Sequence, residues 1–199
     1  MTSTIVQPRP LILASASPRR RELMTERGYE FDVIEPPFEE PDAASPHVPP
    51  ANHVESLAFF KARSVARKFP DHTILAADTI AYLNGGIIGK PIDRSDARRI
   101  LEEMSDTTHE VLTGVALYEP RTGRRRIAHD ITKLRVRELS GREIEAYLNT
   151  GEWIGKAGAY GIQDEGDKFV ERIEGSFSNV VGLPMELVER LFAEWDGGQ

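Results

Sequence analysis

Residues 73–83 read TILAADTIAYL, and they are followed by Asn84-Gly85-Gly86 and then IIGKP at 87–91. A long apolar run closed by turn residues predicts a buried strand that doubles back as a hairpin. Asp78 interrupts it. An ionised carboxylate among buried side chains is costly unless it is paired, hydrogen-bonded or bound to metal. The stretch alone leaves three readings open: a metal ligand, a general base, or a structural Asp bonded to a neighbouring turn.

Working outward, the preceding segment carries Val54, Leu57, Ala58, Val65 and Phe69 at helical spacing, which predicts a helix starting at Asn52 or His53. Lys61 falls on its apolar stripe, where a lysine commonly snorkels to the surface. Before it, PLILAS (10–15) and FDVI (31–34) predict strands, and a helix is expected from Ser17 to Gly28. Six prolines between Glu35 and Pro50 make that stretch a loop or lid, and it carries Glu39, Glu40 and Asp42. Downstream, Ser95–Met104 predicts a helix. HEVLTGVALYEP and RRIAHDITKLRVREL predict two long strands joined by RTGR. SGREIEAYLNTG predicts a capped helix ending at Gly151, KFVERI a strand and PMELVERLFAEW a terminal helix. Strands and helices mix without strict alternation, which predicts an α/β or α+β protein with a mixed sheet and a cleft between two lobes.

The chain has 199 residues and a net charge of −7, and it contains no Cys. The acidic balance argues against non-specific binding to nucleic acid or anionic membrane. Lack of Cys excludes disulfides, thiolate nucleophiles and Cys-based zinc sites, and fits a reducing cytosol. MTSTIVQPRP lacks a signal-peptide h-region, and no apolar run reaches a membrane span, so a cytoplasmic protein is expected.

ASASPRRRELM, residues 14–24, adds a puzzle. Ser17 suits an N-cap and Pro18 the first helical position, so Arg19, Arg20 and Arg21 fall in the first turn. The helix dipole already makes that end positive, so the placement is unfavourable unless an anion sits nearby. Solvated arginines are the alternative. Lys90, Lys156 and Gln163 stand in glycine-rich stretches that let backbone approach a ligand closely. GGIIGKP lacks the spacing and hydroxyl of a Walker loop. Ser176, Ser178 and Asn179 in GSFSNVVGLP are candidate hydrogen-bonding groups, and the five histidines show no ligand spacing. Basic groups with carboxylates able to carry magnesium describe a polyphosphate site.

In these motifs the chain resembles the Maf family of nucleoside triphosphate pyrophosphatases, related in fold to the inosine triphosphatase-like (Ham) enzymes. The resemblance covers ASASPRRREL, Glu40, FKA around Lys61, ADT at 77–79, GKP at 89–91, HEVLTGV at 109–115, KAGAYGIQ at 156–163 and GSFSNVVGLP. It implies one domain over 1–199 with an elongated, twisted mixed sheet flanked by helices. It also implies hydrolysis of a nucleoside triphosphate to monophosphate and pyrophosphate with Mg²⁺ or Mn²⁺. Asp78 would be the proton acceptor and, with Glu40, a metal ligand. Ser15, Ser17, Arg20, Lys61, Lys90 and Lys156 would bind substrate. Arg19, Thr79 and Gln163 match the branch acting on dTTP and UTP, possession of which implies clearance of pyrimidine nucleotides. A homodimer is implied, with neither nucleic acid nor membrane as partner. Two positions depart from the family pattern: Gly155, where an Asp is common, and Asp106, where a Gly is usual and a changed turn is expected. Rival readings are a nucleotide-sensing regulator of cell division using the same pocket, and another phosphate-ester hydrolase.

Overall fold

Alternation along the first strand explains how the sheet is covered. In the computed structural model, which describes residues 6–8, 10–38, 48–162 and 165–196, β1 spans Leu11–Ala14 and every residue of it is buried. Successive strand side chains point to opposite faces, so burial throughout means cover on both sides. β1 pairs in parallel with β2 (Asp32–Ile34) and with β3 (Thr73–Leu83). Leu11 and Leu13 join Leu75, Ala77, Val115 and Leu117 on one face, packed against the last helix, α6 (Met185–Asp196), through Val188 and Phe192. Ile12 and Ala14 join Ile74, Ala76 and Ala116 on the other face. There they meet Ala58, Ala62, Val65 and Ala66 of α2, Pro50–Ala66.

The remaining elements run in the order α1 (Pro18–Glu26), β4 (Gly86–Ile88), α3 (Arg94–Met104), β5 (Thr108–Tyr118), β6 (Arg125–Val136), α4 (Gly141–Thr150), β7 (Val170–Glu174) and α5 (Phe177–Val181), placed among those already named as the chain dictates. Seven strands form the described sheet, ordered β2-β1-β3-β5-β6-β7, with β4 on β3. β3/β4 and β6/β7 are antiparallel, so the sheet is mixed, as expected. No described helix is long and apolar enough to cross a membrane.

The chain divides into two compact units. Unit 1 comprises Met1–Asp78, Thr113–Asp130 and Gly182–Gln199, and unit 2 comprises Thr79–Leu112 and Ile131–Val181. Unit 2 has its own core: Ala97, Ile100, Leu101 and Met104 of α3 pack with Ile144, Tyr147 and Leu148 of α4 and with Val136 and Phe169. Ser140 caps α4 in a full capping box with Glu143, and Gly151 ends it at φ 75°. Arg137 and Ser140 together hold the Glu143 carboxyl down to about 2.

Two elements depart from the sequence expectations, and one was not expected at all. α2 begins at Pro50, two residues before Asn52, because a proline in the first turn lacks only an N–H that would be unpaired anyway. KFVERI yields strand only from Val170, since residues 165–169 form a 3₁₀ turn. GSFSNVVGLP contains a short helix, α5, with Asn179 at its centre. Asp106 sits at φ 56°, in the left-handed region that glycine enters freely. Its carbonyl accepts from Arg135 at 2.6 Å and its carboxylate pairs with the same guanidinium. Gly155 is likewise at φ 73°, with open space where a Cβ would stand.

Candidate active site

Strand parity decides where Asp78 points. It follows Ile74 and Ala76 on the face that α2 covers, so its carboxylate lies under that helix. Helix phase does the same for Lys61, one turn from Ala58 and Val65. Lys61 Nζ donates to Asp78 Oδ1 at 2.5 Å, with the two residues 8% and 5% exposed. Lys61 therefore does not snorkel. Its ammonium runs inward because a carboxylate is already there, and each charge offsets the desolvation of the other. One lysine occupies one of the roughly four lone-pair sites of a carboxylate, so acceptor capacity remains for a water proton.

Small side chains bring α2 this close. Ala58, Ala62 and Ala66 face Ala14, Ala76 and Ala116. At Gly114 in β5, an added Cβ would stand 2.4 Å from the Val54 carbonyl carbon and oxygen, so only glycine fits beneath the start of the helix. Glu55, one residue on, pairs with His129 of β6 at 2.7 Å. Nothing local in the sequence marks Gly114, whose role depends on a helix distant in sequence.

The serine and arginine motif forms a linked turn. Ser15 Oγ accepts from the Ser17 N–H at 3.1 Å, and Ser17 Oγ caps α1 by accepting from the Arg20 N–H at 3.4 Å. No acidic residue occupies the first turn. Arg19 is half-buried and Arg21 is exposed. Arg20 donates Nε to the Gly182 carbonyl and Nη1 to the Ala77 carbonyl, both at 2.7 Å. Unit 1 thus brings Ser15, Ser17, Arg20, Lys61 and Asp78 into a connected set.

Unit 2 carries Thr79, half-buried, Lys90, exposed, and Lys156, half-buried. The two lysine motifs are stitched together by a bond from the Gly158 N–H to the Gly89 carbonyl at 3.3 Å. Gly158 is at φ 77°, and a Cβ there would touch Met104 at 3.0 Å. Behind this loop His109 is buried, with Nε2 3.0 Å from the Tyr160 hydroxyl. Burial holds His109 down to about 4 and pushes the Tyr160 phenol upward. Asn179 donates to the Val111 carbonyl at 3.0 Å and to Thr132 Oγ1 at 2.9 Å, while the Ser176 and Ser178 hydroxyls bond each other at 2.9 Å. These groups tie α5 to β5 and β6 within unit 2.

Glu40 and Gln163 lie outside the described residues. Among the described residues no three His, Cys, Asp or Glu side chains gather as a metal cage. Magnesium in phosphate sites takes one or two carboxylates and completes its shell with water and substrate oxygens. A donor set containing the buried Asp78 carboxylate fits that mode.

Comparisons with known proteins give the family and the fold. The family model described as "Maf-like protein" matches residues 10–195. The chain is 45% identical over 183 residues to the dTTP/UTP pyrophosphatase of Moorella thermoacetica, covering 92% of this chain and 93% of that one. It is 45% identical over 182 residues to the dTTP/UTP pyrophosphatase of Pyrococcus furiosus, covering 91% and 93% respectively. Among solved structures, a HAM1 protein from Coxiella burnetii is similar in fold, with a TM-score of 0.54 at 17% identity over 92% of this chain and 98% of that one. The family model and the relatives show that this chain belongs to the Maf family.

Proposed function

We propose that this chain hydrolyses dTTP and UTP between the α- and β-phosphates, releasing pyrophosphate and the nucleoside monophosphate. The observation that supports it best is the buried pair of Asp78 and Lys61, a carboxylate held against a cation in a family whose relatives carry that activity in their names. Asp78 takes a proton from the attacking water as the new oxygen–phosphorus bond forms at the α-phosphorus. The bond to the bridging oxygen breaks and pyrophosphate departs. Lys61 offsets negative charge that builds on the phosphates. Ser15, Ser17 and the N–H groups of α1 receive phosphate oxygens at a helix start that bears no acidic residue.

Lys90 and Lys156 as phosphate ligands, and Arg19, Thr79 and Gln163 as readers of the base, rest on the family's motifs alone. So do a homodimer and a cytoplasmic location. Asp78 with Glu40 would hold Mg²⁺ or Mn²⁺, which when bound supplies Lewis-acid neutralisation of the phosphates. The test is an assay of purified protein against dTTP, UTP, CTP and 7-methyl-GTP, with phosphate and pyrophosphate measured separately. Pyrophosphate from dTTP and UTP is expected. Release of inorganic phosphate alone, or nucleotide binding without turnover, contradicts the proposal.

A further inference from the structure

Arg20 is expected from its motif to be a phosphate ligand, yet its guanidinium is turned to the protein's own backbone. Two of its donors reach carbonyl oxygens, Gly182 through Nε and Ala77 through Nη1, each at 2.7 Å. Both acceptors lie in unit 1, at residues 57 and 162 positions away in sequence. Ala77 is fully buried and immediately precedes Asp78. A peptide unit is planar, so the direction of the Ala77 carbonyl fixes the plane that also contains the Asp78 nitrogen and Cα. The second acceptor is similarly special. Gly182 is at φ 121°, a conformation that side-chain-bearing residues rarely adopt, and it opens the segment leading into α6. Arg20 itself is fixed at its base, because its N–H is the one that Ser17 caps.

We infer that Arg20 is a positioning residue for Asp78: its guanidinium fork clamps the Ala77–Asp78 peptide to the Gly182 carbonyl and so sets the direction of the carboxylate. Fork geometry is what the task needs, since a rigid planar guanidinium can hold two acceptors at a set angle, whereas an ammonium offers a point charge. The motif's first-turn arginine, unfavourable to the helix dipole, is thereby satisfied by two carbonyl dipoles. This deepens the proposed function and rests on Asp78 being the proton acceptor.

The discriminating variant is Arg20→Lys, which keeps the charge and loses the fork. For UTP or dTTP, kcat should fall about 20-fold or more, as sub-ångström misplacement of a catalytic group allows, with KM held within about threefold. Affinity for a non-hydrolysable α,β-imido UTP should likewise hold, and the thermal midpoint should confirm a folded variant. A loss of affinity for that analogue, with kcat little changed, would make Arg20 a phosphate ligand and overturn the inference. A variant that is destabilised but turns over normally per folded molecule would overturn it too. Hydrogen exchange at the Asp78 amide, measured without nucleotide, keeps the two claims separate. Faster exchange in Arg20→Lys supports the clamp even if the wild-type protein releases no pyrophosphate, and unchanged exchange counts against the clamp whatever the activity.

Discussion

Lys61 Nζ and Asp78 Oδ1 meet at 2.5 Å beneath α2, and both side chains are withdrawn from solvent. Removing one partner of such a pair leaves a buried charge uncompensated, at a cost of about 3–5 kcal/mol. Lys61→Met should therefore lower stability to urea by about that amount, whereas Lys61→Met combined with Asp78→Leu should recover most of it. A single variant as stable as the wild type would mean that the pair does not carry buried charge.

Gly114 sets how closely α2 lies on the sheet. Gly114→Ala puts a methyl group 2.4 Å from the Val54 backbone, which a rotamer change cannot relieve. The helix must shift, with a loss of at least about 2 kcal/mol in denaturant and, through Lys61, about tenfold or more in turnover. Unchanged stability and turnover would show that α2 moves without consequence for the pair.

His109 links stability to pH. Its folded pKa is held down to about 4 by burial, against 6.5 for the ordinary side chain, and its Nδ1 finds no partner among the described residues. Between these values the unfolded chain binds a proton that the folded chain refuses, so the contribution of His109 is fully present above pH 6.5 and is lost as pH falls toward 4. The difference corresponds to at most about 3 kcal/mol. Urea midpoints measured from pH 7 to pH 4.5 should fall more steeply for the wild type than for His109→Gln, and parallel curves would refute the assignment.

The two left-handed turns should respond differently to substitution. Gly155→Asp should be tolerated within about 1 kcal/mol, because Asp enters this region and the space is open, whereas Gly155→Val should cost more. Asp106→Gly should be close to neutral, since relief of strain offsets the lost pairing with Arg135. Thermal midpoints check all three variants.

Much of the architecture was legible because burial leaves local marks. TILAADTIAYL could only be a covered strand, and α3 shows Ala97, Ile100, Leu101 and Met104 on one face. Asp78 stood out for the same reason. Lys61 stood out too, as a lysine on an apolar stripe, but its pairing with Asp78 did not, because that meeting depends on the parity of β3 and the phase of α2 together. The two carbonyls that Arg20 reaches, of Ala77 and Gly182, were not legible, because any residue supplies a backbone carbonyl and no motif marks it. Gly114 was silent for a similar reason, its meaning lying in the helix above it. The short helix in GSFSNVVGLP left no local mark, since its serines and glycines carry no helical apolar period.

Asp78 as the proton acceptor of a pyrophosphate-releasing hydrolase is put to the test by Asp78→Asn. The substitution keeps size and a hydrogen-bonding oxygen while removing the charge and most of the basicity. Pyrophosphate release from UTP should fall at least about 10³-fold, in the range of a lost general base, while α,β-imido UTP still binds. Turnover within about tenfold of the wild type would mean that Asp78 is not the base.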